Sequence, residues 1–156
     1  MAQLRAVAEA AGLKEVRTYV ASGNLLFASD GSEAGLEAKV EAAVEAGFGF
    51  QVDVLVRSRD QWDGYVRGNP MPELGEQKGN LLMMTLGKRP ATDADVEALR
   101  MKASDNERVE RAGEAIWIWF GDGAGRSKIG TGPRGKEVWT TRNWRTVLKL
   151  QEMLGA

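Results

Sequence analysis

Apolar residues recur at three- and four-residue spacing at the start of the chain. Leu4, Val7, Ala8 and Ala11 share one face and Gly12 follows as a stop, so the pattern predicts a helix over 2–11. The period then changes. Val16–Ser22 and Asn24–Ala28 are rich in β-branched and aromatic residues around Gly23-Asn24, a pair that tolerates positive φ, and they predict two strands joined by a tight turn. Asp30 or Ser32 caps a second helix that carries Leu36, Val40, Ala43 and Val44 inward and ends near Gly47. Its acids Glu33, Glu37, Glu41 and Glu45 recur every fourth residue and read as a solvated face. Phe50–Val56 alternates and then turns uniformly apolar, the pattern of a strand with one buried face.

Arg59–Val66 predicts a short helix stopped by Gly68-Asn69-Pro70, and the polar segment from there to Gly79 reads as a loop. The subdomain boundary is placed at this point, giving 1–68 and 69–156. Asn80–Leu86 predicts a strand, and Thr92 opens a helix through Val96, Leu99 and Met101. Arg108–Ala112 and Ala115–Phe120 are strands around a turn at Gly113. Trp117 and Trp119 share one face of their strand and Ile116, Ile118 and Phe120 the other, so both faces are expected to be packed. A final amphipathic helix opens on Thr140–Trp144 and turns Trp144, Val147, Leu148 and Leu154 inward. This order predicts an α+β fold of two ferredoxin-like subdomains. Each has an antiparallel sheet with helices on one face, and the first lacks an opening strand.

Composition narrows the chemistry more than the architecture. With 156 residues, 43% apolar and 28% charged, the chain suits one domain or two small subdomains. No run approaches the roughly 18 apolar residues of a membrane helix. The first residues lack a cleavage-site pattern, so a soluble cytoplasmic protein is expected. The chain contains no Cys and no His. Disulfides, thiolate nucleophiles, Ser-His-Asp arrangements, HExxH zinc sites and two-His-one-carboxylate iron sites are therefore excluded. Any catalysis would rest on Asp/Glu, Lys, Arg, Tyr or Ser. Asp93, Asp95 and Glu97 suit a helix N-terminus and indicate no metal. No cofactor or metal is expected, and the reading leans away from an enzyme.

Charge is segregated. From Arg126 to Lys149, seven basic residues stand against Glu137 alone, in a chain of formal net charge −1. This stretch is the candidate anion site, with Arg126, Ser127, Lys128, Thr141, Arg142, Asn143 and Arg145 as its ligating residues. Gly121–Ser127 matches a P-loop poorly: three residues separate its outer glycines where that motif has four, and Arg stands where it has Lys. At Thr140–Trp144 the opening of a helix would supply N–H donors to a phosphate, although Thr141 or Asn143 acts first as a cap. The expected partner is a nucleotide, a phosphorylated small molecule or a short nucleic acid, with no membrane. The slightly acidic whole argues against extended duplex. Two alternatives stand beside it. One is an enzyme using Ser127, Lys128 or a carboxylate on a phosphorylated or carboxylated metabolite. The other is a structural adaptor or homo-oligomer joined through an exposed sheet edge.

Five segments carry a family pattern: Tyr19-Val-Ala-Ser22-Gly23-Asn24, Arg57-Ser58, Asn69-Pro70, Gly125-Arg126-Ser127-Lys128, and Thr141-Arg142-Asn143-Trp144 with Lys149-Leu150. In this order they resemble the bacterial family called domain of unknown function 1697. The resemblance implies two ferredoxin-like subdomains and no established activity. It also implies that Ser22 and Asn24 stand near any ligand, beside a glycine-rich Arg-Gly-Ile-Asn-Val-Gly-Gly loop and a preceding strand that family members carry and this sequence lacks. A second departure is Ile129–Lys136, glycine-rich where many members place a helical turn, and expected to be mobile.

Overall fold

In the computed structural model, which describes residues 2–19, 23–130, 132–133 and 135–155, the chain divides into two units, Met1–Ser58 and Arg59–Ala156. The first contains α1 (Ala2–Ala10), β1 (Lys14–Tyr19), β2 (Asn24–Ala28) and α2 (Glu33–Phe48). β1 and β2 pair antiparallel with Tyr19 opposite Asn24. Asn24 therefore belongs to the strand and not to the turn, and its side-chain amide donates to the Tyr19 carbonyl (3.1 Å). Ser32, one of the two expected caps, accepts the Gly35 N–H. Leu36, Val40 and Val44 bury the inner face of α2 against Ala8 and Leu13.

The expected strand over 50–56 does not form. Val52, Val54 and Val56 do pack on the core of this unit, so the alternation reports burial correctly. Its backbone finds another partner. The Val54 N–H donates to the Glu41 carboxylate and the Val56 N–H to that of Glu37, each at 2.9 Å. Four helical residues advance about 6 Å and two extended residues about 6.6 Å, so glutamates one turn apart match every second amide of a passing extended chain. Glu37 and Glu41 thus replace a strand's carbonyls, and the solvated face expected for them is corrected. Arg57, 4.0 Å from Glu37 and 10% exposed, supplies the compensating charge.

The second unit contains α3 (Arg59–Arg67), α4 (Pro72–Gln77), β3 (Leu82–Gly87), α5 (Asp93–Arg100), β4 (Glu107–Ala112), β5 (Ala115–Phe120), a 3₁₀ turn at Ala124–Arg126, β6 (Trp139–Asn143) and α6 (Trp144–Gly155). Two of these differ from expectation. α4 occupies the segment read as loop, because Pro72 sits in its first turn, where the missing N–H is harmless and the fixed φ is helical. β6 takes residues read as the opening of the last helix. The sheet runs β4-β5-β3-β6 with every neighbouring pair antiparallel, the order of a split β-α-β arrangement in which β3 reaches β4 through α5 and β5 reaches β6 through a second crossing.

Strand parity assigns the two faces. Met83, Val109, Ile116, Ile118 and Phe120 meet Val96 and Leu99 of α5. On the other face Trp117, fully buried, meets Trp144 of α6 edge-on at 5.5 Å. Helices thus cover both faces of this sheet, not one. α4 closes over the second face at Gly75, where an added Cβ would lie 2.8 Å from the Trp144 ring. α3 belongs with this unit and not with the first: the Trp62 indole donates to the Val147 carbonyl (3.0 Å), Gln151 donates to Asp63 (3.2 Å), and Arg59 donates to the Leu154 carbonyl.

Candidate functional site

The second crossing, from β5 to β6, carries no α-helix. The chain leaves Phe120 through a turn closed by the Gly123 N–H on the Phe120 carbonyl (2.9 Å) and makes the 3₁₀ turn at Ala124–Arg126. It then drops Ile129 into the α5 face, where it is 1% exposed. The Ser127 hydroxyl accepts the Ile129 N–H (3.0 Å) and so shapes this descent. The segment expected to be mobile, 129–136, is therefore anchored at its first residue, while Thr131 and Arg134 lie outside the described residues. Arg126 and Lys128, flanking the anchored stretch, are exposed.

The other candidates gather at the junction of β6 and α6. Thr141 pairs with Thr85 across the strands, the two hydroxyls 2.8 Å apart, and shares the α5 face with the crossover, whose Gly132 approaches Thr85. Arg142 takes the opposite face. Its guanidinium donates to the Thr140 hydroxyl (2.8 Å) and the Thr141 carbonyl (2.9 Å), and burial lowers its pKa from the ordinary value. Asn143 caps α6 by accepting the Thr146 N–H (3.0 Å), and the Trp144 N–H donates to the Gly79 carbonyl (3.1 Å). Two of the donors at this helix start are thus committed within the protein. Arg145 is exposed on the first turn. The sheet stands between Arg142 and the crossover loop, so the candidates form two groups: Arg126, Ser127 and Lys128 on the loop, and Arg142, Asn143 and Arg145 at the helix start. Asn24 belongs to the first unit and Ser22 lies outside the described residues.

Ion pairing separates the cations of the second unit. Arg89 is held bidentately by Asp95 (2.7 and 2.9 Å), bonds to Glu137 and lies 5.0 Å from the Trp139 ring centroid. Its hydrogen bonds to these two carboxylates raise its pKa further, and Arg89 in turn holds the Asp95 carboxyl down to about 2. Arg100, Arg108 and Arg111 also face carboxylates. Arg126, Lys128, Lys136 and Arg145 form no ion pair among the described residues. Glu137, the single acid of the basic stretch, is occupied by Arg89 from outside it. The excess positive charge legible in the sequence therefore persists in the fold. Among the described residues no group of three or more acids converges as metal ligands would, and no described helix is long and apolar enough to cross a membrane.

A family model described as "Protein of unknown function (DUF1697)" matches residues 1–117. The chain belongs to the DUF1697 family. Among solved structures it is similar to the conserved bacterial protein SP0830 from Streptococcus pneumoniae. The TM-score is 0.67 and the identity 22%, covering 100% of this chain and 89% of that one. At that identity the likeness concerns the fold, and it supports the mixed architecture with antiparallel sheets described above. No functionally curated protein matches the chain. The DUF1697 match ends within β5, so the crossover loop, β6 and α6 lie beyond the matched residues.

Proposed function

We propose that this DUF1697 protein binds a phosphate-bearing ligand, a nucleotide or short nucleic acid, at the β5–β6 crossover, with Arg126 and Lys128 as the charged contacts and Ser127 between them. The observation that carries this reading is the uncompensated charge. Arg126 and Lys128 are exposed without a carboxylate partner among the described residues, on a loop that Ile129 holds in place. An exposed cation with no partner gains most from an arriving phosphate, because no existing ion pair must be broken, and a loop already ordered spends little further entropy on binding. Arg145 and Lys136 add to the same field at longer range. Arg142 is a weaker candidate, since its guanidinium is turned onto its own strand.

A thermal-shift series with inorganic phosphate, sugar phosphates, nucleotides and short single-stranded oligonucleotides tests this, since a ligand of the folded state raises Tm with its concentration. The phosphate-bearing compounds are expected to stabilise the protein and their unphosphorylated counterparts to do so less. The shift should shrink as salt rises from about 50 to about 300 mM. Equal shifts with and without phosphate would remove the proposal.

A further inference from the structure

The turn that leads into β4 and the turn that leaves β5 are tied to one another. The Gly121 N–H donates to the Asn106 carbonyl (3.0 Å), and the Asn106 side-chain amide donates to both oxygens of Asp122 (3.1 Å each). The contact requires glycine, because a Cβ at position 121 would stand 2.2 Å from the Asn106 carbonyl oxygen. Beside this clasp lies an open surface hollow of about 450 Å³, with Trp119 as its aromatic wall, Leu74 as an apolar contact and Asp105, Asp122 and Arg108 as charged groups. Trp117, two residues earlier on the same face, is fully buried, whereas Trp119 is only partly covered. Arg108 stands directly opposite Trp119 in the β4–β5 register and reaches Glu110 at 3.7 Å. Asp105 is exposed and makes no hydrogen bond or ion pair among the described residues.

We infer that this hollow receives a guanine-type base. The inference deepens the phosphate-binding reading and rests on it for the attached phosphate: Trp119 lies on the sheet face opposite the one Ile129 enters, and the chain passes from the first face to the second through Gly121–Arg126 at the strand end. The edge chemistry selects the base. A carboxylate only accepts, with two oxygens side by side, and matches the adjacent ring N–H and exocyclic amine of guanine in the bidentate manner it uses for guanidinium groups. Adenine offers one donor beside an acceptor and would set a lone pair against one oxygen. Arg108 complements the remaining edge, where guanine presents two acceptors and adenine an acceptor and a donor. Trp119 supplies a stacking face, worth about ten- to a hundred-fold in affinity per base. Asp105, which keeps both oxygens free among the described residues, is the bidentate acceptor, whereas Asp122, whose two oxygens the Asn106 amide already holds, fixes the wall beside it.

The test is calorimetric titration of the full chain with guanosine monophosphate, adenosine monophosphate, guanosine, inorganic phosphate and methylguanidinium. Guanosine monophosphate is expected to bind about tenfold or more tightly than either adenosine monophosphate or phosphate. Trp119→Leu should erase that margin while leaving phosphate affinity unchanged. Asp105→Asn, at an exposed side chain without a partner among the described residues, should bring the guanine nucleotide to the level of the adenine one. Equal binding of both nucleotides and phosphate overturns the base pocket and leaves the phosphate reading standing. Methylguanidinium binding as tightly as guanosine also overturns it, marking a general cation site. Binding by none of the phosphate compounds removes both.

Discussion

Two extended segments, 50–56 in the first unit and β6 in the second, met opposite fates. The first alternates like a strand, buries its valines, and is held through Glu37 and Glu41 side chains. The second is polar, Thr140-Thr141-Arg142-Asn143, yet makes a full antiparallel ladder with β3 from Met83–Asn143 to Gly87–Trp139. The difference teaches that side-chain pattern decides which face is buried, while a strand forms only where a neighbouring edge offers unpaired backbone groups. β3 offered such an edge to β6. The extended segment found carboxylates one helical turn apart and used them.

The contrast can be broken from either side. The largest effect is expected at the centre of the ladder-built unit: Trp117→Ala should cost about 3–5 kcal/mol in denaturant unfolding, because it empties a fully buried site against Trp144. In the first unit, Glu37→Ala or Glu41→Ala should each cost about 1–3 kcal/mol by leaving a half-buried N–H without its acceptor. Amide exchange at Val56 or Val54 respectively should speed up, whereas exchange in β6 should not change. Unchanged protection at both valines would mean that packing alone holds the segment.

A smaller and pH-dependent effect belongs to the second unit. The Arg89 guanidinium, together with the N–H and hydroxyl of Thr92, stabilises ionised Asp95, whose folded pKa of about 2 lies below the ordinary 3.8. A depressed carboxylate pKa contributes stability that is fully present above the ordinary value and is lost as pH falls through the folded one. Stability should thus decline between about pH 4 and pH 2, and Asp95→Asn should flatten that part of the profile. The same substitution weakens the Thr92–Asp95 capping box of α5, so a loss of up to about 1 kcal/mol at neutral pH is expected besides. The smallest effect on stability is expected at the ligand loop. Arg126→Ala with Lys128→Ala should stay within about 0.5 kcal/mol of the parent, since both side chains are exposed and unpaired among the described residues.

Helix positions were largely legible, because Leu36, Val40 and Val44, and Val96 and Leu99, follow the 3.6-residue period that burial on one face imposes. α4 was hidden because two prolines read as loop, although one of them sits where a helix tolerates it. β6 was hidden because its polar residues suit a helix start equally well, and its strand identity depends on the distant edge of β3. At the candidate site, the charge excess and the Asn143 cap were visible in sequence. The separation of Arg142 from Arg126 and Lys128 was not, since it follows from the parity of β6 and from Ile129 seating in the α5 face. Strand parity predicts the same packing for Trp117 and Trp119, and only the different coverage of two residues on one face distinguishes them.

The most direct test of the central claim is calorimetric titration of inorganic phosphate and guanosine monophosphate into the protein and into the Arg126→Ala/Lys128→Ala variant, at about 50 mM salt. Each lost charge-assisted contact is worth about 1.5–3 kcal/mol, so the variant should bind both compounds at least about tenfold more weakly at an unchanged Tm. Equal affinity in the two proteins would contradict the account and remove the anion site from the crossover loop.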